Sequence, residues 1–182
     1  MVMKQDLIAE EKERLGREGE EVAREWLKQE GYLILPASLI EVGKAPALEG
    51  QSNRIILPDT LTWKQKQAGW VEIKTKSHAT LHLKPPKRWE HGLPLHHWEA
   101  YFKIQEETGI PVSLAIIEIE TGLLLIEQIN NLKVNKRGFY MEGNPHIFLA
   151  RDDFQWFTID LTIPRPIQPV AKRTIHQGIA PK

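Results

Sequence analysis

The feature that most constrains the fold is a pair of apolar segments near the middle of the chain. Residues 111–120 and 123–129 are both rich in aliphatic and β-branched residues, and only Thr121 and Gly122 separate them. Two such segments joined by a short polar turn are typical of a β-hairpin. The sequence therefore predicts that a β-sheet forms part of the core.

Two other segments have the periodicity of amphipathic helices. Apolar residues recur at helical spacing in residues 13–30, and Gly31 follows as a stop signal. The same spacing returns in residues 95–108, where Gly109 and Pro111 end the pattern. We therefore predict two helices, one near the start of the chain and one just before the central hairpin.

The remaining segments predict further strands. Residues 54–63 and 69–77 form a second hairpin around the polar turn 64–68. We also expect a strand over 32–42, bent at Pro36, irregular connections over 43–53 and 84–94, and short strands within 138–141, 146–151 and 154–160. This order of elements predicts the α/β class, with a mixed β-sheet flanked by helices.

Length and composition fit one globular domain. The chain has 182 residues, of which 41% are hydrophobic and 26% are charged. We assign residues 1–162 to the domain and 163–182, with four prolines, four basic residues and no acid, to a proline-rich basic tail.

The absence of certain residues and segments excludes several classes of protein. Because the chain has no cysteine, it has no disulfides, cysteine-ligated zinc or cysteine nucleophile, and any metal must use oxygen or imidazole ligands. No apolar run is long enough to span a bilayer. Charges interrupt the N-terminal segment where an export signal would be apolar, so we expect a cytoplasmic protein with no membrane partner.

Charge is unevenly distributed, although the net charge is zero. Residues 60–88 contain seven lysines and arginines against one acid, Glu72, whereas residues 1–30 contain nine acids against six bases. A basic stretch around a lone carboxylate suits a phosphate-rich partner. A lysine-rich solvated hairpin is the alternative explanation.

The basic stretch contains a candidate catalytic site. Glu72 and Lys74 are two residues apart on a predicted strand, so both side chains project from one face. If the preceding turn is centred between Gln65 and Lys66, or one residue later, antiparallel pairing brings Asp59 opposite Glu72 or Lys74. In either register two carboxylates and one ammonium group share a face.

Two carboxylates beside an ammonium group suit metal-dependent chemistry on phosphate. Two carboxylates, with the carbonyl of Ile73, provide the hard oxygen ligands that Mg²⁺ or Mn²⁺ prefers. Such an ion polarises a phosphate and activates water, while Lys74 orients that water or neutralises developing charge. The pattern therefore favours phosphodiester hydrolysis. The alternative is a surface charge ladder, because Glu-x-Lys is common and also occurs at Glu10 and Lys12.

Glu20 on the first predicted helix is a third candidate ligand. It borders the apolar stripe of that helix, whereas Glu21 lies on the polar side. An acid at this edge can reach a metal bound to the sheet. Alternatively, Glu20 is a partly covered carboxylate that pairs with Arg17 or Arg24.

Taken together, these motifs resemble the opening of the PD-(D/E)xK, or restriction-endonuclease-like, superfamily. The resemblance covers residues 16–76 and is most similar to Holliday-junction-resolvase-like nucleases, which begin with a Gly-Glu-bearing helix. It implies a restriction-endonuclease-like sheet and Mg²⁺-dependent cleavage of DNA. It also implies that Glu20 is an auxiliary metal ligand, that Asp59 and Glu72 are the principal ligands, and that Lys74 is the catalytic lysine.

Further residues are candidates for contact with DNA that is branched or single-stranded. These are Lys76, Lys84, Lys87, Arg88, Tyr101 and Gln105. Some relatives carry the last two residue types in the reverse order. Alternatively, Tyr101 and Gln105 support the residues of the site, or Tyr101 fills the core. Histidines could contact phosphate, and tryptophans could stack on unpaired bases or fill the core. A second copy of this chain, in a homodimer, is a further candidate partner. The alternatives to an enzyme are a non-catalytic nucleic-acid-binding module and an accessory subunit.

Overall fold

A computed structural model of the chain describes residues 2–39, 46–49, 54–83, 87–141 and 144–161. Within these ranges a central mixed β-sheet and two helices form an α/β fold. The predicted C-terminal tail, 163–182, lies outside the described residues.

Helix α1 spans Val2–Gln29 and begins earlier than residue 13, where the prediction placed it. Ion pairs at i, i+4 spacing line its exposed side, including Arg14 with Glu18 at 2.8 Å. Helix α2 spans Leu95–Thr108 as predicted, and Gly109 ends it in a left-handed conformation with φ 66°. No helix within the described ranges is long and apolar enough to cross a membrane.

The central sheet has six strands in the order β1-β4-β5-β8-β9-β12. They are β1 Leu33–Pro36, β4 Thr60–Lys64, β5 Gln67–Lys76, β8 Val112–Glu118, β9 Leu123–Gln128 and β12 Gln155–Thr158. Strands β5 and β8 are parallel, because α2 lies in the connection between them, and the other neighbours are antiparallel. The predicted hairpin in the middle of the chain is confirmed as β8–β9.

The second predicted hairpin, β4–β5, is also confirmed. Lys64 pairs with Gln67, so the turn is centred between Gln65 and Lys66, both of which have positive φ. The prediction of one strand over 54–63 is wrong. That segment divides at Pro58, and its first part, β3 Arg54–Ile56, pairs instead with β2 Ala47–Glu49, which lies in the predicted loop 43–53.

A second sheet has the order β10-β11-β7-β6. Its strands are β6 Thr80–His82, β7 Arg88–Pro94, β10 Val134–Met141 and β11 Asn144–Ala150, all antiparallel. The prediction that 84–94 is irregular is therefore wrong for 88–94, because β7 is stabilised by pairing with the distant β11. The predicted short strands near the C-terminus are confirmed as β10, β11 and β12.

The core has two parts, one on each face of the six-stranded sheet. On one face, Val71 and Ile73 of β5 pack with Ala23 and Leu27 of α1. On the other face, residues of β5, β8 and β9 pack with α2 and the second sheet. Strand β5 therefore lies at the centre, with a helix covering each of its faces.

Candidate active site

The candidate site is built on β5, whose side chains alternate between the two faces of the sheet. Val71 and Ile73 belong to the core under α1, whereas Trp70 belongs to the core on the α2 face. Glu72 and Lys74 follow Trp70 at a spacing of two and therefore share its face. The predicted division of this strand into two faces is confirmed.

Asp59 is brought beside Glu72 by the β4–β5 register. Thr60 pairs with Val71, so the preceding residue is level with Glu72. The backbone N–H of Ile73 donates to Oδ2 of Asp59 at 2.7 Å, and the N–H of Ala37 donates to the Asp59 carbonyl at 2.8 Å. Both the side chain and the main chain of Asp59 are thus held in place.

The surroundings of Asp59 disfavour its negative charge. Burial and the nearby carboxylate of Glu72 raise the pKa of Asp59 to about 7, although the hydrogen bond from Ile73 opposes this effect. The two acids are therefore close enough to repel each other. A bound divalent cation would remove that repulsion, so this pair of oxygen donors fits Mg²⁺ or Mn²⁺.

Glu72 is fixed from two directions. Lys74 Nζ lies 2.5 Å from Oε1 of Glu72, and the hydroxyl of Tyr101 on α2 donates to the same oxygen at 2.8 Å. Burial lowers the pKa of Lys74, but the carboxylates of Glu72, Asp59 and Glu20 outweigh it and raise the pKa above its usual value. Lys74 is therefore a charged group at neutral pH.

Glu20 lies on α1, the helix over the Val71 and Ile73 face of β5, and pairs with Arg24. Oε2 of Glu20 lies 3.2 Å from Nη2 of Arg24, which agrees with the alternative explanation drawn from the sequence. Burial raises the pKa of Glu20 despite Arg24, and the charge of Glu72 raises it further, so the two acids are within electrostatic reach. Among the described residues, no three acidic or histidine side chains already form a complete metal-binding group.

The predicted DNA-contact residues have varied surroundings. Lys76 is half-buried next to the site, and burial together with Lys74 lowers its pKa. Lys87 is exposed, Arg88 donates to the buried Glu90 at 2.8 Å, and Lys84 lies outside the described residues.

Two of the predicted contact residues have side-chain partners within the protein. Tyr101 is 5% exposed and contacts Glu72, so it acts on the candidate site and is not at the surface. The side-chain amide of Gln105 accepts from the N–H of Val112 at 3.0 Å and donates to Asn130 at 3.1 Å. Gln105 therefore joins α2 to the sheet and has its hydrogen-bonding groups occupied.

Support of the site residues was one of the alternatives that the sequence left open for Tyr101, but no feature of the sequence identifies Glu72 as its partner. His97, also on α2, is half-buried near Lys74, and burial and that charge lower its pKa. The helical spacing that puts His97 and Tyr101 on the same side of α2 was the available signal. The spacing does not tell which strand this face of α2 packs against.

A buried polar cluster lies on β8, at the end of the same face. Oε1 of Glu118 accepts from His91 Nε2 at 2.9 Å, and Arg151 Nη2 donates to Oε2 of Glu118 at 2.9 Å. Glu118 is also the register partner of Lys76. This cluster therefore joins the second sheet to the central sheet next to the candidate site.

No protein-family model matches the chain, and no curated protein matches it in sequence. A solved structure, that of Archaeoglobus fulgidus Hjc, a Holliday junction resolvase from an archaeal hyperthermophile, is similar with a TM-score of 0.50 and 10% sequence identity. The similarity covers 76% of this chain and 91% of that chain. At this identity the likeness concerns the fold alone, so the chain is similar in fold to this resolvase.

Proposed function

We propose that this protein is a metal-dependent nuclease that hydrolyses phosphodiester bonds of DNA. The observation that carries the proposal is the convergence of Asp59, Glu72 and Lys74 on one face of adjacent strands. The N–H of Ile73 orients Asp59 at 2.7 Å, while Lys74 contacts Glu72 at 2.5 Å. Two oriented carboxylates and an ammonium group are the components that this reaction requires.

Each residue has a distinct role in the proposed mechanism. Asp59 and Glu72 hold Mg²⁺ or Mn²⁺, with Glu20 as an auxiliary ligand from α1. A bound ion would supply polarisation of the scissile phosphate and activation of a water molecule. Lys74 donates to a phosphoryl oxygen and neutralises the negative charge that develops there.

The surroundings of Asp59 favour an enzyme over a module that only binds DNA. A surface that binds DNA by charge has no need to keep two carboxylates together in a partly buried position. The pKa of Asp59, raised to about 7 by burial and by Glu72, indicates that this arrangement destabilises the folded protein without a cation. Such strained pairs of titratable groups are typical of functional sites.

DNA is the proposed substrate, with branched DNA included. The basic stretch around the site supports a nucleic-acid partner. The solved structure with a similar fold is that of a Holliday junction resolvase, which supports DNA in particular. A homodimer and a cytoplasmic location remain predictions.

Cleavage assays test the proposal directly. Labelled four-way junction, single-stranded and duplex DNA are incubated with the protein in Mg²⁺, Mn²⁺ or EDTA. We expect cleavage that requires metal, and at least about a 100-fold loss of rate in Asp59→Asn, Glu72→Gln and Lys74→Met. The exposed Glu10 and Lys12 on α1 have the same Glu-x-Lys spacing, so Glu10→Gln and Lys12→Met are matched controls expected to retain full activity.

Metal binding is measured separately from cleavage by thermal unfolding. At about 100 times its dissociation constant, Mg²⁺ stabilises a folded protein by about 2.7 kcal/mol. We expect this stabilisation in the wild type and its loss in Asp59→Asn. If the wild type binds DNA but neither cleaves it nor responds to metal, the protein is a binding module. Cleavage that depends on a second subunit would indicate an accessory role.

A further inference from the structure

We infer that Trp89, with Leu81, forms a stacking surface for an unpaired base of the DNA strand that enters the candidate site. This inference rests on the proposed function and specifies its substrate class, which is DNA with single-stranded character next to the cleaved bond. Trp89 is on β7 and Leu81 is on β6, outside the set of residues that carry the proposed reaction.

The two side chains share one face of the second sheet. Leu81 and Trp89 are directly opposite each other in the β6–β7 register, so their side chains are neighbours. Trp89 is also on the same face of β7 as His91 and Leu93, because strand side chains alternate. Leu93 and His91 are each 3% exposed, whereas Trp89 is 48% exposed and Leu81 is 42% exposed. The apolar pair therefore continues the buried face of β7 into solvent.

Neighbouring side chains connect this exposed pair on the second sheet to the candidate site on the central sheet. Along β5, Glu72 and Lys74 are followed on the same face by Lys76, whose partner on β8 is Glu118. Glu118 contacts His91 at 2.9 Å, and Trp89 is two residues from His91 on the same face of β7. A strand with its phosphate at Lys74 would continue past Lys76 towards Trp89.

The charges along this path suit a DNA backbone. Burial and Lys74 lower the pKa of Lys76, so a phosphate next to Lys76 would stabilise its charged form. Lys87 is exposed at the start of β7, two residues from Trp89. Proteins that bind single strands combine such cations with aromatic side chains on which bases stack. In a duplex the bases stack on one another, so their faces are not available to Trp89.

The exposure of Trp89 distinguishes it from tryptophans that fill the core. Trp70 and Trp98 are 4% and 8% exposed and belong to the hydrophobic cluster under α2. Trp156 is 64% exposed, but it lies on β12 at the far edge of the six-stranded sheet, three strands from β5. Trp156 is therefore a matched control for an exposed tryptophan away from the site.

The test compares binding of a labelled oligonucleotide as a single strand and as a duplex, by fluorescence anisotropy in EDTA, so that no DNA is cut. We expect Trp89→Ala to weaken single-strand binding by about 5- to 150-fold, the range for loss of one stacked base, and duplex binding by less than about twofold. Trp89→Phe should retain most of the affinity, and Trp156→Ala should match the wild type. Because both tryptophans are exposed, each variant is expected to keep the wild-type melting temperature.

Several outcomes would overturn the inference. Equal losses for the single strand and the duplex, or an equal effect of Trp156→Ala, would show that Trp89 does not select unpaired bases. If Trp89→Ala instead converts a dimer to a monomer in light scattering and leaves the ratio of the two affinities unchanged, the surface is a subunit interface. Metal-dependent cleavage with that ratio unchanged would reject the stacking surface and leave the nuclease proposal intact. Selective loss of single-strand binding without any cleavage by the wild type would support the surface and reject the nuclease.

Discussion

The hydroxyl of Tyr101 on α2 donates a hydrogen bond of 2.8 Å to Oε1 of Glu72 on β5. Burial and the charge of Glu72 raise the pKa of Tyr101 well above its usual value, so the phenol remains a donor at any pH near neutrality. Tyr101 therefore fixes the orientation of a proposed metal ligand. It is a positioning residue in the proposed site.

Removal of this hydroxyl should weaken metal binding as well as lower the stability of the fold. For Tyr101→Phe we expect the Mg²⁺ concentration for half-maximal cleavage to rise by about tenfold, because partners of metal ligands have effects of this size. The free energy of unfolding should fall by about 1.5–3 kcal/mol, the range for a hydrogen bond to a charged group. Metal titration of the cleavage rate and urea unfolding measure the two effects. Tyr32→Phe, outside the site, is the control, and an unchanged metal requirement in Tyr101→Phe would reject the positioning role.

The raised pKa of Asp59 predicts a pH-dependent gain in stability for Asp59→Asn. The folded-state pKa of about 7 lies above the usual value near 3.8, so as pH rises from about 4 to about 7 the unfolded state loses its proton first. The wild type therefore loses stability across this window, and the loss is complete above about pH 7. Asparagine has no charge to bury, and its carbonyl can still accept from Ile73.

We expect metal-free Asp59→Asn to be more stable than the wild type at pH 8 by about 1–3 kcal/mol, with no difference below about pH 4. Urea unfolding in EDTA at a series of pH values measures the difference. A variant that is less stable than the wild type at pH 8 would contradict the burial of charge at Asp59.

Replacement of two glycines of α1 by alanine should have opposite effects on the free energy of unfolding. A Cβ at Gly19 would lie 1.9 Å from Oγ1 of Thr75 on β5, whereas a Cβ at Gly16 meets nothing within 4 Å. Gly19→Ala must therefore push α1 away from β5, and we expect a loss of about 1–3 kcal/mol in unfolding free energy. Gly16→Ala should gain up to about 1 kcal/mol from helix propensity. Because Glu20 follows Gly19, Gly19→Ala should also lower the rate of DNA cleavage.

A second substitution, Thr75→Ala, identifies the cause of the stability loss expected in Gly19→Ala. Thr75→Ala removes the oxygen and the methyl group that Gly19→Ala would strike, but leaves the Thr75 Cβ at 3.0 Å. The double variant should therefore recover part of the stability lost in Gly19→Ala. Thermal unfolding of the four proteins measures this. If Gly19→Ala is as stable as Gly16→Ala, α1 does not pack this closely on β5.

The ion pair between Arg151 and Glu118 should contribute strongly to stability. Glu118 is 1% exposed, and despite its burial the hydrogen bonds from Thr121, His91 and Arg151 lower its pKa. Arg151→Ala would leave that buried charge without its cation, at an expected cost of about 3 kcal/mol. The exposed pair Arg14 with Glu18 is the control, since Arg14→Ala should change unfolding free energy by less than about 1 kcal/mol. Urea unfolding measures both variants. If Arg151→Ala and Arg14→Ala lower the free energy of unfolding by equally small amounts, the Glu118 carboxylate is solvated.

Local patterns in the sequence were sufficient for much of the fold. The apolar spacing of 95–108 and the stop at Gly109 determined α2, because both depend on residues within one or two helical turns. The polar turn 64–68 limited the β4–β5 register to two possibilities, both of which put Asp59 on the face of Glu72 and Lys74, and the structure has the one that brings Asp59 level with Glu72. These features follow from backbone geometry that neighbouring residues control.

Tertiary structure decided what depends on partners distant in the chain. Strand β7 forms because β11, more than fifty residues later, provides its hydrogen bonds, and its own sequence gives little indication of a strand. Tyr101 meets Glu72 only because α2 packs over β5. Trp70 is buried because it packs in the cluster with α2, whereas Trp89 is exposed. Periodicity records which side chains share a face, but which surface covers that face is set by the packing of the whole chain.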